Sequence, residues 1–421
     1  MRKCAFTKCK VLKRKKSKQE NRLSHHRVPV RCEMMAFFCA LALFPGGVAY
    51  ASDLQKGVAA AKQGDYAAAL SELQPLAQQG NPDAEYNIGV MYANGYGVPK
   101  SYATAILWYR KAADKGNAMA QYTLGWMSDK GIGVPRDYHK AVAWYELALT
   151  NGNVDALVNL GVIYRNGLGV ERDYVKAVSL FQKAAMEGSS KAQGDLGAMY
   201  GSGLGVPQDY AEAIKWYEKA AAKNDPEALT NLGSMYVTGQ GVAQDYSKAV
   251  EWYRRAAMLK NADAQYSLGY MYANGYGVKQ DYAEAVAWYL KAAAQGNSNA
   301  EINLGLMYGQ GMGVKQNTSE ALHWYRMAAD QGRGLAQYGL CVFYADGLGV
   351  KKDLVAAYAL CLLATTDANS PATEISKVKD KLGRIRGQMS QEEIKAGDKL
   401  FEKMKQAGMA SALDDHLRER G

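Results

Sequence analysis

The chain has 421 residues, of which 48% are hydrophobic and 22% charged, so it is too apolar for a disordered protein and too long for a small disulfide-stapled domain. The formal net charge of +10 hints at nucleic acid, but residues 1–51 carry 12 basic and 2 acidic side chains, and the remaining 370 residues carry 39 of each. Binding to a phosphate backbone needs clustered, uncompensated cations. We therefore expect no nucleic-acid partner.

The N-terminal segment has the layout of an export signal. The apolar run 34–44 follows a basic stretch, and the small residues Ala49 and Ala51 suit a cleavage pocket. The basic stretch is longer than a signal peptide needs, so we favour a working start at Met34 or Met35 over a long natural leader. Both alternatives predict export, to the periplasm or out of the cell. No later stretch reaches the roughly 18 apolar residues of a membrane span, so we expect none in the mature chain.

Four of the six cysteines, at positions 4, 9, 32 and 39, fall in this segment and leave Cys341 and Cys361 in the mature chain. An exported protein meets an oxidising compartment, where such a pair can form a disulfide. The alternative is that both are buried as small hydrophobic side chains. We favour this second alternative, because a sequence does not place two Cβ atoms within bonding reach.

One period dominates the rest of the chain. Glycine recurs every 36 residues from Gly95 to Gly347, and the columns that begin at Gly97, Val98 and Ala105 have the same step. A period between about 20 and 50 residues indicates stacked supersecondary units, which bury their apolar faces against their neighbours. The sequence therefore predicts a tandem repeat.

Each repeat contains two helical patterns. In the first repeat one apolar stripe begins at Ala84 and a second at Tyr102. Asp137 and its equivalents precede the second helix as N-caps, and the Gly95 column ends the first helix. The predicted caps of the first helix are Asn81, Asn117, Asn153, Ser189, Asp225, Asn261 and Asn297. Each repeat is therefore predicted to be a helical hairpin.

The columns combine into Ala-x-x-x-Leu-Gly-x-Met-Tyr-x-x-Gly-x-Gly-Val-x-x-Asp-Tyr-x-x-Ala-x-x-Trp-Tyr-x-x-Ala-Ala-x-x-Gly. This pattern resembles the Sel1-like repeat, a relative of the tetratricopeptide repeat, over residues 84–371 in eight copies, the last of them degenerate. The resemblance implies an all-α fold, an α/α superhelical solenoid. Residues 52–83 look like a tetratricopeptide-type capping hairpin. Residues 372–421 are predicted to form closing helices and a tail, with a capping box at Ser390 and Glu393.

The predicted mature chain offers little for catalysis. None of His139, His323 and His416 has another ligand four residues away or a cysteine beside it, so we expect no metal site. The Gly-x-Gly loop lacks the preceding strand of a phosphate site, and no nucleophile with a base stands out, so we expect no cofactor and no enzyme. Cysteine-rich relatives of the family have been linked to β-lactam binding or hydrolysis. This chain lacks their cysteine pattern, which leaves a hydrolase as the third choice.

Variable positions on the first helix are the candidates for binding. By resemblance to tetratricopeptide proteins, that helix lines a concave groove, and the residues flanking the Leu-Gly pair point into it. An asparagine in the neighbouring column can clamp a peptide backbone, because its amide donates and accepts. We favour the alternative that these amides bond the adjacent repeat. The candidate groove residues are Tyr86, Asn87, Tyr122, Trp126, Asn159, Asn231, Tyr266, Tyr270, Asn303 and Tyr338.

Among these candidates the aromatic side chains are favoured, because aromatic anchors carry a disproportionate share of binding energy. We expect a monomeric scaffold of the bacterial envelope, or a secreted one, that binds a peptide or a protein surface in the groove. The alternative is recognition of peptidoglycan or other glycan fragments by the aromatic positions, or escort of a wall-active enzyme.

Overall fold

The computed structural model describes residues 48–368 and 370–420, and every regular element in them is an α-helix. The predicted leader and the cysteines at 4, 9, 32 and 39 lie outside the described residues, and positions 48–51 begin the first helix. The described helices are α1 Val48–Lys62, α2 Tyr66–Gln78, α3 Pro82–Asn94, α4 Tyr102–Asp114, α5 Ala118–Lys130, α6 Tyr138–Thr150, α7 Ala156–Asn166, α8 Tyr174–Met186, α9 Ser190–Ser202, α10 Tyr210–Ala222, α11 Pro226–Thr238, α12 Tyr246–Met258, α13 Ala262–Asn274, α14 Tyr282–Ala293, α15 Ser298–Gln310, α16 Thr318–Asp330, α17 Gly334–Asp346, α18 Leu354–Ala364, α19 Ala372–Arg386, α20 Gln391–Ala407 and α21 Met409–Arg420.

The helices pair into hairpins. Helices α3 to α18 form eight hairpins, in each of which an odd-numbered helix, called helix A, packs against the following even-numbered helix, called helix B. Helices α1 and α2 form a further hairpin before them, and α19 to α21 follow. The chain divides into two compact units, the first ending at Ala220 and the second beginning at Ala221. None of the described helices combines the length and the apolar character that crossing a membrane requires.

The helix ends follow the predicted caps. Asn81 accepts hydrogen bonds from the backbone N–H groups of the first turn of α3 through Oδ1, and Asp137 accepts from Lys140 N in the same way. Gly95 ends α3 in the left-handed region with φ 77°, where a glycine has no Cβ to clash. The third repeat differs, because α7 begins at Ala156 with Asp155 at its N-cap. The predicted cap there, Asn153, still accepts from the N–H of Ala156 at 3.2 Å.

A close contact that recurs inside the hairpins joins a glycine of helix A to an aromatic ring of helix B, 20 residues later in the sequence. A Cβ on Gly89 would lie 2.6 Å from Cε1 of Tyr109, and a Cβ on Gly125 would lie 2.8 Å from Cδ1 of Tyr145. The same contact recurs at Gly161–Phe181, Gly197–Tyr217, Gly233–Tyr253, Gly269–Tyr289 and Gly305–Tyr325. The glycine of the Leu-Gly pair is therefore required by the ring that packs on it, since real Cβ atoms do not approach this closely.

The last hairpin replaces both members of this contact. Cys341 occupies the glycine position and Cys361 the ring position, and their sulfurs form a disulfide with the two Cα atoms 5.4 Å apart. Both side chains are fully buried. The favoured expectation of two unbonded cysteines is therefore corrected, although the burial it assumed is present. Helix packing brings the two positions together in every repeat, and only here do both carry a thiol.

The C-terminal helices close the second unit. The capping box between Ser390 and Glu393 is present at the start of α20, and one face of that helix is buried. Helix α21 docks through an ion pair between Arg326 and Asp414, and through a 2.9 Å contact between His416 Nε2 and Asp353 Oδ2. The described part of the predicted tail is therefore helical and attached.

Candidate partner-binding surface

The candidate tyrosines of the first unit pack on the buried rings of their own hairpins. The ring of Tyr86 lies 5.6 Å from that of Tyr109, and the ring of Tyr122 lies 5.6 Å from that of Tyr145. Tyr86 is almost completely buried, whereas Tyr122 is half-buried. Tyr86 is therefore mainly a core residue, and Tyr122 presents the larger free surface.

The candidate asparagines are largely used within the fold. Nδ2 of Asn159 donates to the Tyr122 hydroxyl of the preceding repeat at 3.0 Å, and the Asn303 side chain bonds the hydroxyl of Tyr289, also in the preceding repeat. Nδ2 of Asn87 donates to a carbonyl of its own helix at 2.8 Å. Asn231 is half-buried on α11. The favoured alternative, that the amides bond the adjacent repeat, therefore fits Asn159 and Asn303.

Trp126 is a wedge between neighbouring repeats. Its half-buried indole packs against the core that surrounds Tyr109 and against the core that surrounds Tyr145. Part of the ring stays accessible, so the same side chain can stabilise the stack and contact a ligand. The sequence pattern alone did not predict that double use.

The second unit carries a group of accessible aromatic side chains. Tyr266 packs 5.8 Å from Tyr289, and Tyr270 lies 6.1 Å from Tyr276. Tyr276 is 37% exposed and stacks on Tyr246 of the preceding repeat. Tyr266, Tyr270 and also Tyr338 are half-buried on their A helices. Of the predicted residues, Tyr270 is therefore the one that adjoins an exposed ring, and Tyr276 is an addition that the sequence analysis did not single out.

An ion pair between α7 and α9 of the first unit was not predicted from the sequence. Nη1 of Arg165 lies 2.5 Å from Oδ1 of Asp195, and both side chains are mostly buried. Nε of Arg165 and Oδ2 of Asp195 are buried without a hydrogen-bond partner in the structure. Asp195 stands in the column that elsewhere holds Asn87 and Asn159, and this change from amide to carboxylate was the available signal.

A buried polar column holds successive repeats together. Gln121 Nε2 donates to the carbonyl of Ala113, at the end of the preceding helix B, at 2.9 Å. Gln193, Gln265 and Gln337 make the same bond, in which Nε2 donates to the backbone carbonyl eight residues earlier in the sequence. Glu301 stands in this column, and burial raises its pKa to about 7 while the hydrogen bond from Gln331 lowers it. These groups serve packing, because the four glutamines donate through Nε2 to the preceding helix B and Glu301 accepts from Gln331 within the stack. Oε1 of Gln193 and Oε1 of Gln337 are buried without a hydrogen-bond partner in the structure.

Four of the six tryptophans on the B helices are covered by cations of their own helix. Nζ of Lys111 lies 4.2 Å from the ring of Trp108, and Nζ of Lys291 lies 3.7 Å from the ring of Trp288. Similar contacts occur at Trp216 with Lys219 and at Trp252 with Arg255. A cation over an indole face is a favourable contact that occupies the face a sugar would stack on. These rings therefore offer less to a glycan than their number suggests.

Groups for catalysis are not brought together in the part of the chain that the structure describes. His139 and His323 are exposed on helix B, and no cluster of His, Cys, Asp or Glu in the described residues could hold a metal ion. The buried phenols keep their protons, because burial raises the pKa of Tyr253 to about 12. The arrangement supports packing and recognition.

Tandem helical hairpins, seven of which have a glycine–ring contact between their two helices, define an α-helical repeat protein of the solenoid class. The family model of the Sel1 repeat matches residues 82–117, 118–153, 154–189, 190–225, 226–261, 262–297, 298–332 and 334–367. The chain therefore belongs to the Sel1 repeat family. The predicted fold class and the eight copies are confirmed.

The chain is also similar to two solved structures. A Sel1 repeat protein from Oxalobacter formigenes is 38% identical, covering 52% of this chain and 93% of its own, with a TM-score of 0.50. A protective antigen present in uropathogenic Escherichia coli strains is 31% identical over 88% of this chain and 94% of its own, with a TM-score of 0.46. No curated protein matches the chain significantly.

Proposed function

We propose that the protein is a non-enzymatic scaffold that binds a segment of another protein along its A helices. The proposal rests on the difference between uniform and variable positions of the repeat. The glycine–ring contact repeats with little change, whereas the positions flanking the Leu-Gly pair differ from repeat to repeat and include accessible aromatic side chains. Repeat proteins use such variable positions for recognition over an extended surface.

Trp126 in the first unit and Tyr270 in the second are the proposed anchors. Both are half-buried, so each already has a fixed orientation and loses little side-chain freedom on binding. The partner is a protein of the bacterial envelope or of a host, and the binding protein acts as a monomer. Export rests on the basic and apolar pattern of the leader. Fractionation of cells with and without the run 34–44 tests it.

The test is capture of the partner that in-cell crosslinking identifies, by the full chain and by variants. Trp126→Ala and Tyr270→Ala are expected to weaken capture by about 30-fold each, as for an aromatic hot spot. Leu107→Ala and Met258→Ala are the matched controls, because these side chains are 60% and 74% exposed on helix B of the first and the second unit. Loss of capture in the controls alone would contradict the proposal.

The glycan alternative is favoured by one feature, the stacked pair of Tyr246 and Tyr276 with its exposed ring. Sugars bind to such ring edges and faces. Binding of peptidoglycan fragments that is lost in Tyr270→Ala, while capture of the protein partner stays unchanged, would establish the alternative instead.

A further inference from the structure

The Cys341–Cys361 disulfide takes the place of the glycine–ring contact that joins the two helices in each of the seven preceding repeats. Seven repeats have a glycine on helix A and a ring on helix B. Cys341 and Cys361 are separated by 20 residues, the same separation as Gly305 and Tyr325 in the preceding repeat. Two changes at contacting positions therefore accompany each other in the last repeat. Either change alone would disrupt the packing. A cysteine at 361 opposite a glycine would leave the volume of the ring unfilled, and a cysteine at 341 opposite a ring would overlap that ring.

The last hairpin is also the joint between the repeats and the closing helices. The hydroxyl of Tyr358 on α18 donates to Asp398 of α20 at 3.1 Å, and a Cβ on Gly397 would lie 2.5 Å from the Tyr358 ring. At the start of α17, Arg333 supplies no side-chain cap, and Asp367 accepts from the N–H of Gly334 instead. The position of α18 therefore determines how α19 and α20 pack.

We propose that the Cys341–Cys361 disulfide is a redox-dependent lock on the last repeat and, through it, on the closing helices. With the bond formed, the covalent tie does what the glycine–ring contact does elsewhere. With the bond absent, two thiols provide neither the tie nor the ring. The last repeat then assembles fully only where disulfides form.

Opening the lock requires a dithiol reductant. One thiolate of the reductant attacks a sulfur of the disulfide, which breaks the Cys341–Cys361 bond, expels one cysteine as a thiolate and leaves the other in a mixed disulfide. The second thiolate of the reductant then attacks its own sulfur in the mixed disulfide and expels the remaining cysteine. The reductant becomes a cyclic disulfide, and Cys341 and Cys361 each gain a proton as thiols. Both sulfurs lie in fully buried residues, so the attack follows local opening of the hairpin.

Hydrogen exchange of the full chain tests the proposal, in a background with serine at positions 4, 9, 32 and 39 so that only two sulfurs respond. Reduction is expected to lower the protection of α17 and α18 by about 250-fold, the value that loop entropy gives for a disulfide between residues 20 apart. Helices α13 and α14, joined by Gly269 and Tyr289, serve as the control and keep their protection.

The double variant Cys341→Gly/Cys361→Tyr rebuilds the contact of the other repeats. Its protection is expected to match that of the oxidised protein and not to respond to the reductant. Equal protection of oxidised and reduced wild-type protein would overturn the proposal, whether or not the double variant folds. So would two titratable thiols in the denatured background protein after purification under air.

Discussion

Gln331 donates through Nε2 to both carboxylate oxygens of the buried Glu301, at 3.0 and 2.8 Å. In the first repeat the equivalent pair is Lys115 with Glu85, at 2.6 Å, so a cation balances that carboxylate. A neutral amide does not balance the charge of Glu301, and burial therefore raises the pKa of this carboxyl to about 7. We therefore expect this position of the buried polar column to make the stability of the second unit depend on pH.

Glu301→Gln is expected to stabilise the second unit at pH 8 by about 1–3 kcal/mol. The folded-state pKa of about 7 lies above the ordinary 4.5, so the folded protein holds this proton more tightly than the unfolded chain does. The stability that Glu301 contributes is full below pH 4.5 and is lost as the pH rises through 7. Glutamine removes this dependence and can donate to a backbone carbonyl as Gln265 does. Urea unfolding at pH 5 and pH 8 measures the effect, and equal midpoints of variant and wild type at pH 8 would contradict it.

Gly125→Ala is expected to destabilise the first unit by about 1–3 kcal/mol, because the new Cβ overlaps the ring of Tyr145. Gly201→Ala is the matched control in the same unit. Its Cβ would lie 3.7 Å from the Cβ of Ala213, an ordinary contact, so alanine there is expected to stabilise α9 by about 0.5–1 kcal/mol. Thermal unfolding compares the two variants. A loss at Gly201 as large as that at Gly125 would show that the ring contact is not the cause.

Much of this architecture follows from the sequence, because its causes are local. The 36-residue period positions each hairpin, and single residues such as Asn81 and Gly95 form the helix ends that their chemistry predicts. The shift of α7 to a start at Ala156 was not foreseen, since Asp155 and Asn153 compete for the same role.

The candidate surface was less predictable, because its side chains act across repeats. The amide of Asn159 has the same chemistry whether it binds a peptide or the Tyr122 hydroxyl, and only the distance of 3.0 Å decides. The disulfide had a signal in the sequence, namely that Cys341 and Cys361 stand in the glycine and ring columns. That signal predicts a disulfide only once the structure has shown that residues of the glycine column contact residues of the ring column.

Arg165→Ala is expected to destabilise the first unit by about 3–5 kcal/mol, because it leaves the carboxylate of Asp195 mostly buried without its cation. The double variant Arg165→Met/Asp195→Leu is expected to recover most of that loss, since no charge is left to bury. Thermal unfolding of Arg165→Ala measures the first loss, and a double-mutant cycle of Arg165→Met, Asp195→Leu and the double variant measures the coupling. Additive losses from the two positions would contradict coupling between them.

The central claim is that the A helices carry the partner-binding surface. Photo-crosslinking in intact cells, with a benzophenone side chain placed at Tyr270 on helix A or at Met258 on helix B, tests it most directly. We expect one discrete crosslinked protein from position 270, identified by mass spectrometry, and none from the more exposed position 258. The same protein crosslinked equally from both positions, or from 258 alone, would contradict the claim.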